Sequence, residues 1–494
     1  MLRVRHPARC MRRRCSSTCE AVKRFAALRQ IAEHVGVMVA GKLTPLASVV
    51  VYSRLMSVED YGVLNVAVSY VWIFAIVMSL NLHVGVGRYA YTASKDFSSC
   101  LGTSLIALAV AFALTASFVG FGLPFFERLL GLPQVAIALL LIIVLGTIFE
   151  SLFSQIAIFN QNSSLILRVA AAKACGTFGL AVVLLAALES DKYLAVLYAD
   201  ATTSLALAAY VVWSFRSNVR WTFDLRHLRY VAGYAIPLIP YMLSLTLLSQ
   251  FDRIMIDRYF GKETTGLYSL AYNAGVILLM LVTAVLNVFN PTLFASLDEG
   301  DLERVRRDAK SVFAVAVVAT TILILFGATL FSWIVPSKYE SALELIPIVA
   351  LSGLAFTIFQ VWVRVLAYAN KTYLISLIAL VSASLNIALN AWLLPLFGYP
   401  VAAVTTAVSY LVMSLLCVFA LNNLVGIMKV NIRAELGYIA ALAILLVLFR
   451  GPATAPAVDV ALKLAVLAAC LWHFRESFVA LVRWKPLRRP GAAA

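Results

Sequence analysis

Four cationic side chains stand inside long apolar runs: Lys42, Lys173, Arg253 and Arg364. Three carboxylates, Asp200, Asp252 and Asp257, lie within such runs or at their ends. A charge at bilayer depth costs about 2.5–3.5 kcal/mol on insertion scales, so such groups face protein or a wet cavity. Ammonium groups and forked guanidinium groups are the usual partners of phosphate oxygens. The four cations are therefore candidate walls of a cavity that receives an anion; the competing reading is internal salt bridges between helices. Asp252 and Arg253 are adjacent and project about 100° apart on a helix, so they need not pair with each other, and either can bridge two groups of helices. Asp200, Asp252 and Asp257 are candidates for coupling to a proton or sodium gradient. Arg364 also has the reach to snorkel to the interface, and Lys463, in a late run, is the weakest of the internal cations.

Enzyme chemistry finds no matching pattern. There is no glycine-rich phosphate loop, no Asp-x-Asp pair and no His or Cys group with metal spacing. The five His lie in tails or near the ends of apolar runs, and the seven Cys read as reduced or lipid-facing thiols. No cofactor, metal or nucleic acid is expected.

The elements that must position these charges are membrane helices. The chain is 62% hydrophobic and 13% charged, with a mean hydropathy of +0.92. Soluble domains are about one quarter charged. Runs of about 20 apolar residues are long enough to cross the hydrocarbon layer as helices, and too continuously apolar for barrel strands. The pattern predicts an all-α integral membrane protein with about fourteen transmembrane helices, near 35–54, 63–82, 100–122, 134–155, 165–188, 193–215, 230–256, 267–290, 311–335, 343–368, 373–394, 400–422, 434–450 and 456–474. Residues 1–34 form a basic tail, read as cytoplasmic rather than as an organelle transit peptide, or as the product of a start codon placed too early; 475–494 form a second basic tail. Alternate connectors hold about four times as many Lys and Arg as the others, and cytoplasmic segments are the basic ones. Both termini are therefore expected in the cytoplasm, and the net charge of +16 is mostly an orientation signal.

Two connectors echo each other. RLMSVEDYG at 54–62 and RYFGKETTG at 258–266 share Arg54, Glu59 and Gly62 with Arg258, Glu263 and Gly266. ADATTS at 199–204 resembles AAVTTA at 402–407 at nearly the same offset. Spans one to six thus look duplicated as seven to twelve, giving six-helix bundles over 35–215 and 230–424 related as parallel repeats, with two appended helices over 434–474. In each corner the glycine is expected to turn the chain, the glutamate to suit a helix start and the arginine to end a helix.

Two further stretches resemble the oligosaccharide and polysaccharide flippases (Wzx-type) of the multidrug/oligosaccharidyl-lipid/polysaccharide exporter superfamily. SQFDRIMIDRYFGKETTGLYSLAYNAGVI at 249–277 has an Asp near a helix end, a short Gly-bearing loop and the run Gly266, Tyr268, Ala271, Tyr272; the span after it ends in Pro291. LNIALNAWLLPLFGYPVAAVTTAVSY at 385–410 has Asn386 and Asn390, then Pro395, Gly398 and Thr405. It departs from the family only after the loop, where Pro400 and Val401 stand in place of Gly-Ala. The resemblance covers roughly residues 30–430. It implies transfer of an isoprenoid-pyrophosphate-linked oligosaccharide from the inner to the outer leaflet of a bacterial inner membrane by alternating access, with polysaccharide polymerase and export proteins as pathway partners. Membrane lipids are the other expected partners. The alternatives are a cation-coupled multidrug exporter and a membrane polysaccharide polymerase or ligase. Short connectors weigh against the enzyme. The first bundle, where Asp200 is the one acid weighed against Lys42 and Lys173, weighs toward an anionic substrate.

Overall fold

The computed structural model describes residues 44, 46–92, 96–159, 163–216, 219–449 and 456–482. Lys42, the basic leader and the last twelve residues lie outside them. Among the described residues the chain is helical throughout. The first elements are α1 (Leu46–Leu55), α2 (Val58–Ser79), α3 (Leu82–Thr92), α4 (Phe97–Phe121), α5 (Leu123–Leu130), α6 (Gln134–Phe159), α7 (Ser163–Ala187) and α8 (Lys192–Phe215). Then come α9 (Leu225–Ala235), α10 (Ile239–Asp298), α11 (Leu302–Ser332), α12 (Glu340–Leu343), α13 (Ile346–Tyr368), α14 (Thr372–Phe397) and α15 (Val401–Ala420). The last are α16 (Arg433–Leu448), α17 (Pro456–His473) and α18 (Arg475–Val482).

Ten helices among the described residues are long and apolar enough to cross a membrane. Fourteen were expected, and the differences have local causes. The stretch Leu225–Asn287 is one continuous helical run by hydrogen bonding, but it reverses at Gly261, whose φ of 84° is open to glycine and costly for other residues. Hydrogen bonds from Tyr268 to Asp252 and from Arg253 to Asn273 show the two arms lying side by side. Of the first expected span, 35–54, only position 44 and positions from 46 on are among the described residues, there as α1, and α16 and α17 have 16 and 18 residues. The second arm of α10 also runs through position 291 to Asp298, rather than stopping there.

Lipid offers no partners to backbone or hydroxyl groups, and the helices answer internally. Ser69, Thr147, Ser244, Thr283 and Thr357 each donate to the carbonyl four residues back. Ser57 caps α2 by accepting from the Asp60 backbone N–H, and Asp301 caps α11 in the same way. Two large buried apolar cores result, with a small third around Phe153 and Leu207. One gathers Met56, Leu64, Leu140 and Leu197 with Tyr268 and Tyr339. The other gathers Leu286, Val317, Ile358, Met413 and Leu442.

The repeated corners meet. A Cβ on Gly62 would collide with the Lys262 carbonyl, and one on Gly266 would collide with the Val58 carbonyl. Positions 58 and 62 stand to 262 and 266 at one constant offset, so the contact is reciprocal, as across a two-fold axis. This corrects the expected role of both glycines. Each lies inside a helix, and neither has a positive φ. Their small size lets two backbones touch, and the turn belongs to Gly261. Glu59 lies in the first turn of α2 and Glu263 just after the Gly261 break; both are exposed, as is Arg258.

Candidate functional site: a cavity and three polar centres between the helices

The two stretches that carry the family resemblance converge on Asp252. Its side chain is 1% exposed. One carboxylate oxygen accepts from Tyr268 at 2.8 Å and from Thr406 at 2.6 Å; the other accepts from Asn390 at 2.7 Å. Asn390 is bonded in turn to Thr405 and Asn386, and Asn386 reaches Thr406 at 3.3 Å. Both arms of α10, α14 and α15 thus share one buried oxygen-rich centre. Three donors satisfy the carboxylate without a cation, and Arg253 points elsewhere, as the 100° offset requires.

Arg253 is 4% exposed and ties the two halves of the sequence together. Its guanidinium donates to Gln250 at 2.7 Å and to Asn273 at 3.1 Å, and lies 4.5 Å from the centre of the Tyr272 ring. Asn273 donates onward to Tyr61 at 2.9 Å and to Asn65 at 3.1 Å, and Ser69 donates to Gln250 at 3.2 Å. Tyr61, Asn65 and Asn273 face a cavity of about 280 Å³ that also touches α1 and α8. Arg253 stands one side chain behind that wall, which corrects its expected place on the surface of the cavity.

Arg364 does line a cavity. It lies in the last turn and a half of α13 and opens on a space of about 480 Å³ bounded by Val84, Tyr234, Tyr241, Gln360 and Thr372. The guanidinium is braced by Asn290 and by the Gln360 carbonyl. Arg88 approaches from α3, 4.3 Å from the centre of the Tyr234 ring. Among the described residues no carboxylate lies within ion-pair distance of Arg253 or Arg364.

Lys173 is different. Its ammonium is 2.9 Å from Glu150 and 3.9 Å from Asp200, and Asp200 also accepts from Ser204 at 3.2 Å. Lys173 therefore crosslinks α6, α7 and α8, the salt-bridge alternative, and is not a bare cation. Glu150 is the residue the sequence analysis missed. It adds a second acid to the first half and evens the balance weighed there, two carboxylates against Lys173 and Lys42, the latter outside the described residues. Asp257 is also paired, with Lys262 at 2.6 Å across the Gly261 turn; that pair suffices to explain it. Lys463 pairs with Asp459 on its own helix at 2.7 Å.

The corner end is latched by cations that donate to backbone carbonyls. Arg54 reaches the Ile334 carbonyl at 3.0 Å, Lys192 the Leu55 carbonyl at 3.1 Å, and Lys338 the Met56 carbonyl. Two of these acceptors close α1, where cations suit the helix dipole. The corner end is thus shut, while the Arg364 cavity lies toward the opposite end, beside the 369–371 connector.

Known proteins give this geometry its context. A protein of the Lsg locus of Haemophilus influenzae is 23% identical over 361 residues, spanning 71% of this chain and 86% of its own length. The "Probable flippase AglR" of Haloferax volcanii is 25% identical over 212 residues, 41% of this chain and 44% of its own. The fold is that of the lipid II flippase MurJ in an inward closed conformation, with a TM-score of 0.67 at 12% identity, over 91% of this chain and 99% of that one. An inward-facing multidrug transporter of the MATE family, in the MOP superfamily, matches with a TM-score of 0.59 at 12% identity, over 81% and 95%. The fold and the family description of these comparisons agree with the resemblance of the two sequence stretches. Residues 51–344 match the family described as polysaccharide biosynthesis protein, and the chain, a multi-pass membrane protein, belongs to that family.

Proposed function

We propose that the protein is a flippase that moves an isoprenoid-pyrophosphate-linked polysaccharide repeat unit from the inner to the outer leaflet of a bacterial inner membrane. The observation that carries this reading is the pairing of a shut end with a cationic cavity. The corners close backbone to backbone at Gly62 and Gly266, and Arg364 faces open space with no carboxylate among the described residues to neutralise it. A diphosphate fits a forked guanidinium better than a point charge, and the isoprenoid tail stays in lipid. Arg364 is the first contact for the headgroup, with Arg253 lending positive potential from behind Asn273. Rocking of the half 35–215 against the half 230–424 then closes the cavity and parts the corners. Asp252, held by three neutral donors at the join of four helices, is the site for coupling to a proton or a sodium ion. Both termini face the cytoplasm in this scheme. Polysaccharide polymerase and export proteins take over the product outside.

The test is transfer in vesicles. Purified protein is reconstituted with a fluorescent isoprenoid-pyrophosphate-linked oligosaccharide, and its appearance in the opposite leaflet is followed by quenching. Transfer by the native chain that collapses in Arg364→Gln supports the reading; no transfer above protein-free vesicles overturns it.

One observation favours a second reading. Among the described residues Glu150 and Asp200 both stand beside Lys173, so this cluster carries one surplus acid, as a site for a cationic substrate would require. A cation-coupled multidrug exporter would extrude cationic dyes from cells, and a flippase specific for an anionic headgroup would not.

A further inference from the structure

A second basic concavity lies away from the cavity beside Arg364. Trp362 forms its back wall, and Trp362 and Arg364 are about 200° apart around α13. The concavity therefore opens on the opposite side of that helix. It encloses about 390 Å³ between α11, the connector from α15 and the first turn of α16. Arg306 and Lys310, four residues apart on one face of α11, supply two cations, and Lys429 supplies a third. The Arg306 guanidinium donates to the Lys429 carbonyl at 3.2 Å, which fixes the connector against α11. Among the described residues none of the three cations has a carboxylate within ion-pair distance. Glu435 is the one acid on the wall, so three exposed cations against one carboxylate leave a surplus of two positive charges at its rim.

We propose that this pocket binds the phosphate groups of an anionic membrane lipid, a two-phosphate headgroup being the best match to the surplus charge. Basic pockets between membrane helices at the cytoplasmic side suit such headgroups. The surroundings favour a lipid over a soluble phosphate. From the first turn of α16, where the pocket ends, the helix continues to Ile444, Val447 and Leu448, which are 61%, 72% and 71% exposed. These side chains lie about 15–20 Å further along the axis, centred about 140° around the helix from the pocket-lining Ala434 and Glu435, on the flank of α16. Leu424, 57% exposed, lies just before the connector. A headgroup at the mouth thus leaves its flexible chains to run past Leu424 and around the exposed apolar flank of α16. The pocket does not open on the proposed transport route, so its occupant is a bound lipid that braces α11 against α16, not cargo.

The experiment uses the full chain in phosphatidylcholine nanodiscs, with and without a minor fraction of cardiolipin. Cardiolipin should raise the unfolding midpoint and remain attached in native mass spectrometry. In the double variant K310Q/K429Q its apparent affinity should fall about tenfold or more. R307Q, an exposed position on α11 outside the pocket, should retain both signals. If K310Q/K429Q does not fold, K429Q alone, at an exposed connector position, is read by the same retention. Unchanged retention in the pocket variants overturns the proposal, as does an equal loss in R307Q. So does sodium pyrophosphate that reproduces the full stabilisation in phosphatidylcholine alone, since the occupant would then be a soluble anion.

Discussion

Asn390 donates its amide N–H to the Asp252 carboxylate at 2.7 Å, across 138 residues of sequence. With Tyr268 and Thr406 it completes the set of donors around a fully enclosed carboxylate. Removing the carboxylate orphans all three donors, at about 1–3 kcal/mol for each one left buried and unpaired. Asp252→Ala should therefore lower the unfolding midpoint well below that of Asp252→Asn, which keeps an acceptor oxygen. Equal midpoints for the two variants would mean that the network contributes little to stability. If Asp252 couples transport to an ion, Asp252→Asn should also remove the dependence of transfer on the proton or sodium gradient.

The corner contact predicts a steric phenotype. Gly62→Ala and Gly266→Ala each drive a methyl group into a carbonyl of the facing helix, α10 and α2 respectively, an overpacking cost of about 1–3 kcal/mol. The double variant should cost less than the two singles added, because the first already parts the helices. Cysteines placed at the exposed corner positions Glu59 and Glu263 should gain reactivity toward a water-soluble maleimide in either variant. Unchanged labelling would show that the contact does not keep this end shut.

Arg364 separates charge from shape. Arg364→Lys keeps the charge and loses the planar fork, so it should retain part of the transfer rate. Arg364→Gln should lose about tenfold or more, the scale of one charge-assisted hydrogen bond. Both rates are compared at equal protein levels. Native transfer by Arg364→Gln would remove this side chain from the substrate path.

Lys173→Ala leaves Glu150 and Asp200 facing each other without compensation. Breaking a fully buried ion pair costs about 3–5 kcal/mol; the partial exposure of Glu150 and Asp200 puts the expected loss below that. Lys173→Ala/Glu150→Gln should recover much of it. A double-mutant cycle in thermal unfolding measures the coupling, and a coupling near zero would show that Lys173 does not hold the three helices.

What could be read in the sequence follows from how far each signal reaches along the chain. The spans and the break at Gly261 are local: an apolar run interrupted by Gly-Lys-Glu has one economical folding. The convergence of 249–277 with 385–410 was not legible, because Asp252 meets Asn390 and Thr406 through packing of distant helices. The corner glycines were found and misread. A glycine near a connector suggests a turn, and the duplication was the clue that two such glycines could face each other. Glu150 was legible and overlooked: an acid well inside an apolar run carries the same desolvation cost as the lysine it pairs with. Arg253 and Arg364 stand on helices that the apolar runs mark, and their braces at Asn273 and Asn290 had no signal in spacing.

The reciprocal corner has a consequence for ancestry. The face carrying Val58 and Gly62 fits the face carrying Lys262 and Gly266 because each is the other's counterpart. A protein half as long, encoding one copy, would already own both sides of the joint and could assemble with its twin. Fusion in tandem would then free each copy to specialise; the halves now carry different polar groups, Asp252 in one and Glu150, Lys173 and Asp200 in the other.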